Sequence, residues 1–322
     1  MIIVTGGAGL IGSAVVWKLN QAGRDDILVV DNLGVSDKWK NLVKRRYLDY
    51  LHKSVFIEKL VNGQIDQIEA IVHMGACSST TERDADYLME NNYHYSRRLA
   101  QYAIFRNIRF INASSAATYG DGSRGFADDP DGLEALSPLN MYGYSKHLFD
   151  LWAQRQQVLD RLVSLKFFNV FGPNEYHKGD MRSVVVKAFE QIREQGTMRL
   201  FKSYRQEYPD GGQMRDFVYI KDCAEIICRL IEKPSVCGLY NVGTGRARTW
   251  NDLARAVFSA MDLPPRIAYI DMPEGLRDRY QYFTEAKMDR LAGVGGPLAF
   301  TSLEEAVADY VRHYLRTPDP YL

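Results

Sequence analysis

A chain of 322 residues is longer than one small domain and suits a large α/β domain carrying an appended lobe. With 46% hydrophobic, 12% aromatic and 25% charged residues it can bury a sizeable core, which excludes a disordered, fibrous or collagen-like polypeptide. Forty Lys and Arg balance forty Asp and Glu, so neither a nucleic acid nor an anionic membrane is an expected partner.

Residues 1–5 are apolar but run at once into glycines, without the basic flank or cleavage site of a signal peptide. No stretch reaches the roughly eighteen consecutive apolar residues of a membrane span, and a cytoplasmic protein is expected. The four cysteines, Cys77, Cys223, Cys228 and Cys237, form no C-x-x-C pair and read as reduced thiols; the histidines show no metal-ligand spacing, so no metal is expected. Strand-like apolar runs fall at Ile2–Thr5, Ile27–Asp31, Ala70–His73, 109–113 and Val163–Phe167. Between them, helical stretches at 11–22, 54–62, 93–106 and 144–158 are long enough for right-handed crossovers. That alternation specifies an α/β fold with a Rossmann-type doubly wound parallel sheet. After Phe168, segments 174–179 and 204–213 have the Gly-, Pro-, Asp-, Asn-, Lys- and Tyr-rich character of long functional loops, and 217–220 and 239–242 are strand-like again. The expected division is a first domain over 1–168, regained at about 215–244, and a smaller α/β lobe over 169–214 and 245–322.

Thr5-Gly6-Gly7-Ala8-Gly9-Leu10-Ile11-Gly12 joins the first strand to the first helix. Backbone amides and the helix dipole there face a pyrophosphate whose approach any Cβ would block. Such a turn alone can be a packing device. Asp31, however, follows Gly12 by nineteen residues at the end of the second strand, where a ribose-binding carboxylate belongs, and the pair marks a dinucleotide site built on Gly6, Gly9 and Gly12. Asp31 by itself favours NAD, because a carboxylate repels a 2′-phosphate. Asn32, Lys38 and Lys53 offer neutral and cationic partners for that phosphate, although both lysines also read as solvated surface, so charge leaves NAD and NADP open.

Ser115 ends a strand, and Tyr142-Gly143-Tyr144-Ser145-Lys146 opens a helix with Tyr142 and Lys146 one turn apart on one face. A phenol loses its proton near pH 10, but Lys146 and an oxidised nicotinamide, both positive, would stabilise phenolate and make Tyr142 a usable base. Ser115 would hydrogen-bond the same substrate hydroxyl, and Lys146 would also hold the nicotinamide ribose. Tyr-x-x-x-Lys pairs are common by chance; the upstream glycine loop and the strand-end Ser114-Ser115 give this one its meaning. No Gly-x-Ser-x-Gly elbow surrounds Ser115, which argues against a nucleophilic triad.

These motifs, together with Ala113-Ser114-Ser115-Ala116-Ala117-Thr118-Tyr119-Gly120 and Phe168-Asn169-Val170-Phe171-Gly172-Pro173, resemble the extended short-chain dehydrogenase/reductases over nearly the whole chain. More narrowly, the chain is similar to the ADP-heptose 6-epimerase family. That likeness rests on Gly75-Ala76-Cys77-Ser78-Ser79-Thr80-Thr81-Glu82, the run 175–179 with His177 and Lys178, Arg215-Asp216-Phe217-Val218-Tyr219, Gly243-Thr244-Gly245-Arg246-Ala247 and Arg279-Tyr280-Gln281. The resemblance implies NADP-dependent epimerisation at C6 of ADP-D-glycero-β-D-manno-heptose to the L-glycero isomer, through a transient 6-keto sugar, for the lipopolysaccharide core. Related dehydratases and decarboxylases place acidic residues just after the serine; Ala116 and Ala117 stand there instead, which disfavours elimination. Hydride return to the opposite ketone face would leave an alkoxide needing a second proton donor. The resemblance gives that role to Lys178, which by spacing alone reads as a solvated loop lysine.

By the same resemblance, Leu10, Ile11, Asp31, Asn32, Lys38, Lys53, Met74, Gly75, Ala76, Cys77, Ser78, Asn91, Lys146, Val170 and Lys178 line the cofactor site. Asn169, Asp180, Lys187, Phe201, Lys202, Ser203, Tyr204, Arg215 and Tyr280 correspond to the ADP-sugar site. Arg215 can grip a diphosphate in a fork that Lys187 helps neutralise, or it can pair with Asp216 inside the fold. Asp180 and Lys187 depart from the hydroxyl or histidine of the family pattern, 204–213 reads as an insertion, and Leu10 replaces a frequent aromatic. A homo-oligomer, a pentamer, is implied as well. Two other functions fit parts of the pattern: an epimerase or reductase of another nucleotide sugar, such as a UDP-hexose 4-epimerase, and a non-catalytic NADP-binding redox sensor. The intact Ser115, Tyr142 and Lys146 set argues against the sensor.

Overall fold

The computed structural model describes residues 1–277, 280–296 and 299–322; Arg279, in the run 279–281 noted above, lies outside them. Twelve strands run in chain order among the described residues. They are β1 (Ile2–Thr5), β2 (Ile27–Asp31), β3 (Asp49–His52), β4 (Ala70–His73), β5 (Arg109–Ser115), β6 (Val163–Phe167), β7 (Asn169–Phe171), β8 (Met198–Phe201), β9 (Met214–Tyr219), β10 (Gly238–Val242), β11 (Ala247–Thr249) and β12 (Ile267–Ile270). Seven of them make one parallel sheet in the order β10-β6-β5-β4-β1-β2-β3.

Strands covered on both faces read as continuous apolar runs, and successive side chains serve opposite layers. Ile2, Val4, Ile27, Val29, Ala70 and Val72 pack towards the helices Leu10–Gln21 and Ile220–Glu232. Ile3, Leu28, Val30, Ile71 and Phe110 pack towards Lys53–Val61, Tyr95–Phe105 and Met141–Arg155. The sheet is therefore wound on both sides, and its strand order reverses between β1 and β4. Ligands bind at the carboxyl ends of the strands beside such a switch point.

β5 extends two residues beyond the predicted 109–113, carrying Ser114 and Ser115 on the strand itself. Of the two later strands expected near the sheet, β10 joins β6, whereas β9 pairs parallel with β7 and antiparallel with β11 in a separate three-stranded sheet. β8 and β12 form a further parallel pair. With the helices Val184–Gln195, Trp250–Ala260 and Leu303–Tyr310, these small sheets make the second lobe. Segment 204–213 folds back on β8: the Ser203 N–H donates to Asp210 Oδ1 at 2.7 Å, Gly211 N–H to the Phe201 carbonyl at 3.2 Å, and the Arg205 guanidinium covers the Tyr282 ring at 4.5 Å. No helix of the described residues is long and apolar enough to cross a membrane.

Candidate active site

The turn after β1 needs its glycines for space. A Cβ on Gly6, whose φ is +64°, would stand 2.6 Å from Gly75 Cα, and one on Gly12 would stand 2.1 Å from the Gly6 carbonyl oxygen. Gly9 caps the helix Leu10–Gln21 with no side-chain hydrogen bond, so the first-turn amides are left to whatever anion enters. A cleft of about 440 Å³ opens here, lined by the glycine loop, Leu10, Ile11, Asp31, Lys38, Met74, Gly75, Ala76 and Ser78, and also by Ser115, Tyr142, Lys146, Asn169, Val170 and Lys178. An adjoining recess of about 110 Å³ collects Asp31, Asn32, Lys38, Lys53 and Asn91.

In that recess the Asp31 carboxylate is already engaged. It accepts from Ala8 N–H at 2.8 Å and Asn32 N–H at 2.6 Å and pairs with Lys38 Nζ at 2.6 Å. Lys53 Nζ donates to Asn91 Oδ1 at 2.5 Å. Cys77 takes part through its backbone: its N–H and carbonyl are both held by the buried Asn92 side chain, at 2.8 and 2.9 Å, and Asn92 Nδ2 also reaches Ser145 Oγ at 3.0 Å. Asn92 thus ties the loop after β4 to the helix bearing Tyr142. Sequence reasoning named its neighbour Asn91 and missed it.

Asn140 accepts from Gly143 N–H at 2.8 Å and starts the helix Met141–Arg155, which sets Tyr142 and Lys146 on one face. The Tyr142 phenol is hydrogen-bonded to Ser115, whose hydroxyl also accepts from Ala117 N–H at 3.1 Å. Lys146 Nζ is buried and donates to the Ala113 carbonyl at 2.7 Å; burial brings this ammonium down to about 8. The expected lowering of the phenol by Lys146 is not what the protein alone exhibits. Burial pushes Tyr142 above its ordinary value, and the opposing influence is the Ser115 hydrogen bond rather than the ammonium, which is turned to the strand carbonyl.

Lys178 sits in the turn Tyr176–Met181, whose chain reverses at Gly179 with φ +53°. Burial pushes its ammonium down while nearby Glu175 pushes it up. His177 beside it lines the cleft too, and burial with the Lys38 and Lys178 charges lowers it to about 4, so it is neutral at pH 7. Its signal in the sequence was its place in the run 175–179.

The residues assigned to the sugar nucleotide are more scattered. Asn169 lines the cleft, whereas Lys187 Nζ turns to the Asp180 carbonyl at 2.6 Å and neither of these two residues reaches its wall. Arg215 is 8% exposed and lies over the rings of Trp250 and Tyr280, 5.7 and 5.4 Å from their centroids. Tyr280 accepts from Trp250 Nε1 at 2.9 Å and meets Phe201 edge-on at 6.4 Å. Trp250, unnamed from sequence, and Phe217, named only within the 215–219 motif, line the cleft, so Arg215 stands behind its wall. The alternative pair with Asp216 does not form: that carboxylate accepts from the N–H groups of Thr244, Gly245 and Ala286. Lys202 pairs with Asp271 at 3.0 Å, Tyr204 OH donates to the same oxygen at 3.1 Å, and Ser203 is held by Asp210, all outside the cleft lining.

The profile of the NAD dependent epimerase/dehydratase family matches residues 2–243. The chain belongs to this family. It is 62% identical, over the full length of both chains, to the ADP-L-glycero-D-manno-heptose-6-epimerase of Nitratidesulfovibrio vulgaris strain DP4, and 50% identical, again over both full lengths, to the enzyme of that name from Fusobacterium nucleatum. The crystal structure of Helicobacter pylori ADP-L-glycero-D-manno-heptose-6-epimerase superposes with a TM-score of 0.81 at 26% identity, covering 97% of this chain and 95% of that one.

As a member of the epimerase/dehydratase family the protein uses a nicotinamide dinucleotide, and the residues present fit one. The cradle at Gly6 and Gly12 is one that a Cβ would fill, the adjacent helix start lacks a side-chain cap, and the recess holds a carboxylate and two ammonium groups at the end of β2.

Proposed function

We infer that this protein inverts C6 of ADP-D-glycero-β-D-manno-heptose through a transient 6-keto sugar, giving the L-glycero isomer for the lipopolysaccharide core. The observation that carries the reading is the meeting of Ser115, Tyr142 and Lys146 with Lys178 on one cleft at the carboxyl ends of the sheet. Full-length similarity to named 6-epimerases supports the substrate.

The chemistry supplied by a bound nicotinamide is removal of one hydride from C6 and its return. Tyr142 accepts the C6 hydroxyl proton, and Ser115, already hydrogen-bonded to the phenol, steadies the same oxygen. Lys146, anchored on β5 through Ala113, holds the nicotinamide ribose. Once the keto sugar has turned, Lys178 delivers a proton to the oxygen on the other face. Arg215, which has no carboxylate partner among the described residues, is the cation assigned to the diphosphate, which it reaches past Trp250 as the lobe closes on the ligand. Asn169, Asp180, Lys187, Phe201, Lys202, Ser203, Tyr204 and Tyr280 complete the sugar-nucleotide site in this reading, the outer ones by closing on the ligand.

NADP is the cofactor of this reading, because Asp31 is spent on Ala8, Asn32 and Lys38 while Lys38 and Lys53 bring cationic charge to one recess. A cytoplasmic homo-oligomer, pentameric on the family pattern, belongs to the same proposal and is checked by sedimentation. The deciding experiment supplies ADP-D-glycero-β-D-manno-heptose to purified protein without added cofactor and follows the C6 configuration by NMR. Since no net redox occurs, a mixture of both epimers is expected; an unaltered C6 rejects the assignment, and turnover of UDP-hexoses instead would favour a 4-epimerase.

A further inference from the structure

Glu175 is fully buried at the base of the loop that presents Lys178. Its carboxylate accepts hydrogen bonds from the Ser183 hydroxyl at 2.7 Å, from the Ser183 N–H, and from the Gly172 N–H at 3.4 Å. One side chain thus ties together both ends of segment 172–183. The Glu175 carbonyl in turn accepts from Lys178 N–H at 3.0 Å, fixing the turn that projects the lysine. A buried carboxylate is costly unless its charge is used or well satisfied. Loop closure alone needs an acceptor and no charge.

Burial pushes the Glu175 carboxyl above its ordinary value, while the Ser183 N–H and hydroxyl, the Lys178 ammonium and the Gly172 N–H pull it back down, so its charge has a recipient in Lys178. Lys178 is largely shielded by the cleft wall, its ammonium has no hydrogen-bond or ion-pair partner among the described residues, and Glu175 is the charged group that favours its cationic form. The other groups near Glu175 are the Tyr176 and Tyr310 phenols and Arg182, whose guanidinium is already paired with Glu190 at 2.6 Å. Near Lys178 stand Glu175 and the neutral His177.

We propose that Glu175 is a positioning residue for Lys178, closing the 172–183 loop so that the ammonium enters the cleft and supplying the negative charge that keeps it cationic until it gives its proton to the substrate oxygen. This rests on the reading of Lys178 as second proton donor, and the experiment separates the two. Lysine amines are reductively methylated with 13C in the wild-type protein and in Glu175→Gln, the Lys178 signal being identified by its loss in Lys178→Arg. Each protein is titrated by NMR, and kcat for ADP-heptose epimerisation is measured over the same pH range on unmethylated enzyme. The expected result is that the Lys178 amine titrates about one unit lower in Glu175→Gln and that the alkaline limb of kcat moves down with it. An amine that titrates unchanged overturns the proposal. A lowered amine with an unmoved limb leaves the pairing intact and overturns the donor role of Lys178. Should Glu175→Gln not fold, Ser183→Ala keeps the charge and removes one tie: kcat is expected to fall about tenfold with nucleotide content and the alkaline limb unchanged, and an unaltered kcat overturns the positioning.

Discussion

Lys38 Nζ lies 2.6 Å from Asp31 Oδ1, so the carboxylate that ends β2 meets an ammonium within the protein before it meets a ribose. Its other oxygen is occupied by Ala8 N–H at 2.8 Å. The pair turns a repulsive group into a neutral one and leaves the positive charge of Lys53 in the adjoining recess uncancelled. Lys38→Ala is expected to weaken NADP by about 1.5–3 kcal/mol, the range for a hydrogen bond to a charged group, while NAD changes little. Calorimetric titration of both nucleotides into the stripped protein tests this. An unaltered NADP-to-NAD ratio would take Lys38 out of the selection.

Tyr142 and Lys178 are assigned the two proton transfers on opposite faces of C6. Tyr142→Phe keeps the ring and removes the hydroxyl bonded to Ser115, and Lys178→Met keeps the length of the side chain and removes the amine. Each is expected to slow epimerisation by about 10²–10⁴-fold, with nucleotide still bound to the purified protein. Activity within a factor of a few of wild type in either variant would remove that residue from the mechanism.

Legibility in the sequence followed the locality of each signal. β1, β2, β4 and β6 have the bounds their apolar runs predict, because strands covered on both faces show no polar alternation. β3 escaped notice because Asp49-Tyr50-Leu51-His52 is an edge strand whose side chains are half-exposed or exposed. The helix expected from residue 144 begins at Met141, and Asn140 was the capping signal that dates its start. The glycine loop, Ser115, Tyr142 and Lys146 follow from short spacings. Arg215, Trp250 and Tyr280, by contrast, meet from three separate segments, and no periodicity links them. Asn92 lies in a π-helical turn, Met89–His94, that no local propensity announces.

His73, at the end of β4, carries a pH prediction. Its Nδ1 is 2.5 Å from Thr5 Oγ1 and its Nε2 is 2.7 Å from Ser96 Oγ, and burial, with a smaller push from Lys146, lowers it from 6.5 to about 3. The fold therefore keeps this imidazole neutral while the unfolded chain takes up a proton below its ordinary value. Because the unfolded state binds more protons through that window, stability falls as pH drops from about 6.5 to about 3, by up to ~1.4 kcal/mol per unit from this group. Urea unfolding of His73→Gln at several pH values should give a lower stability near neutrality and a shallower acid slope than wild type. Equal slopes would mean that His73 is not the group responsible.

Beneath the catalytic strand, Asp150 and Lys166 form an ion pair of 3.0 Å with both side chains at 0% exposure. Ser114 and Ser164 donate to the carboxylate at 2.6 and 2.8 Å, and Lys166 Nζ also donates to Thr118 Oγ1 at 2.6 Å. Removing one partner strands a buried charge, so Asp150→Asn is expected to cost about 3–5 kcal/mol, read from the denaturant midpoint. Adding Lys166→Met removes the stranded ammonium and should restore much of that loss, because intact buried pairs gain little over neutral replacements. Catalysis should separate from stability in the double variant. Ser114 precedes Ser115 on β5, and the amide at 150 leaves one acceptor oxygen where Ser114 and Ser164 used two, so the strand end is held less firmly; kcat should stay depressed by about tenfold after stability returns. A double variant that recovers both would make the pair a matter of folding and leave Ser115 positioned by Ala117 and Tyr142.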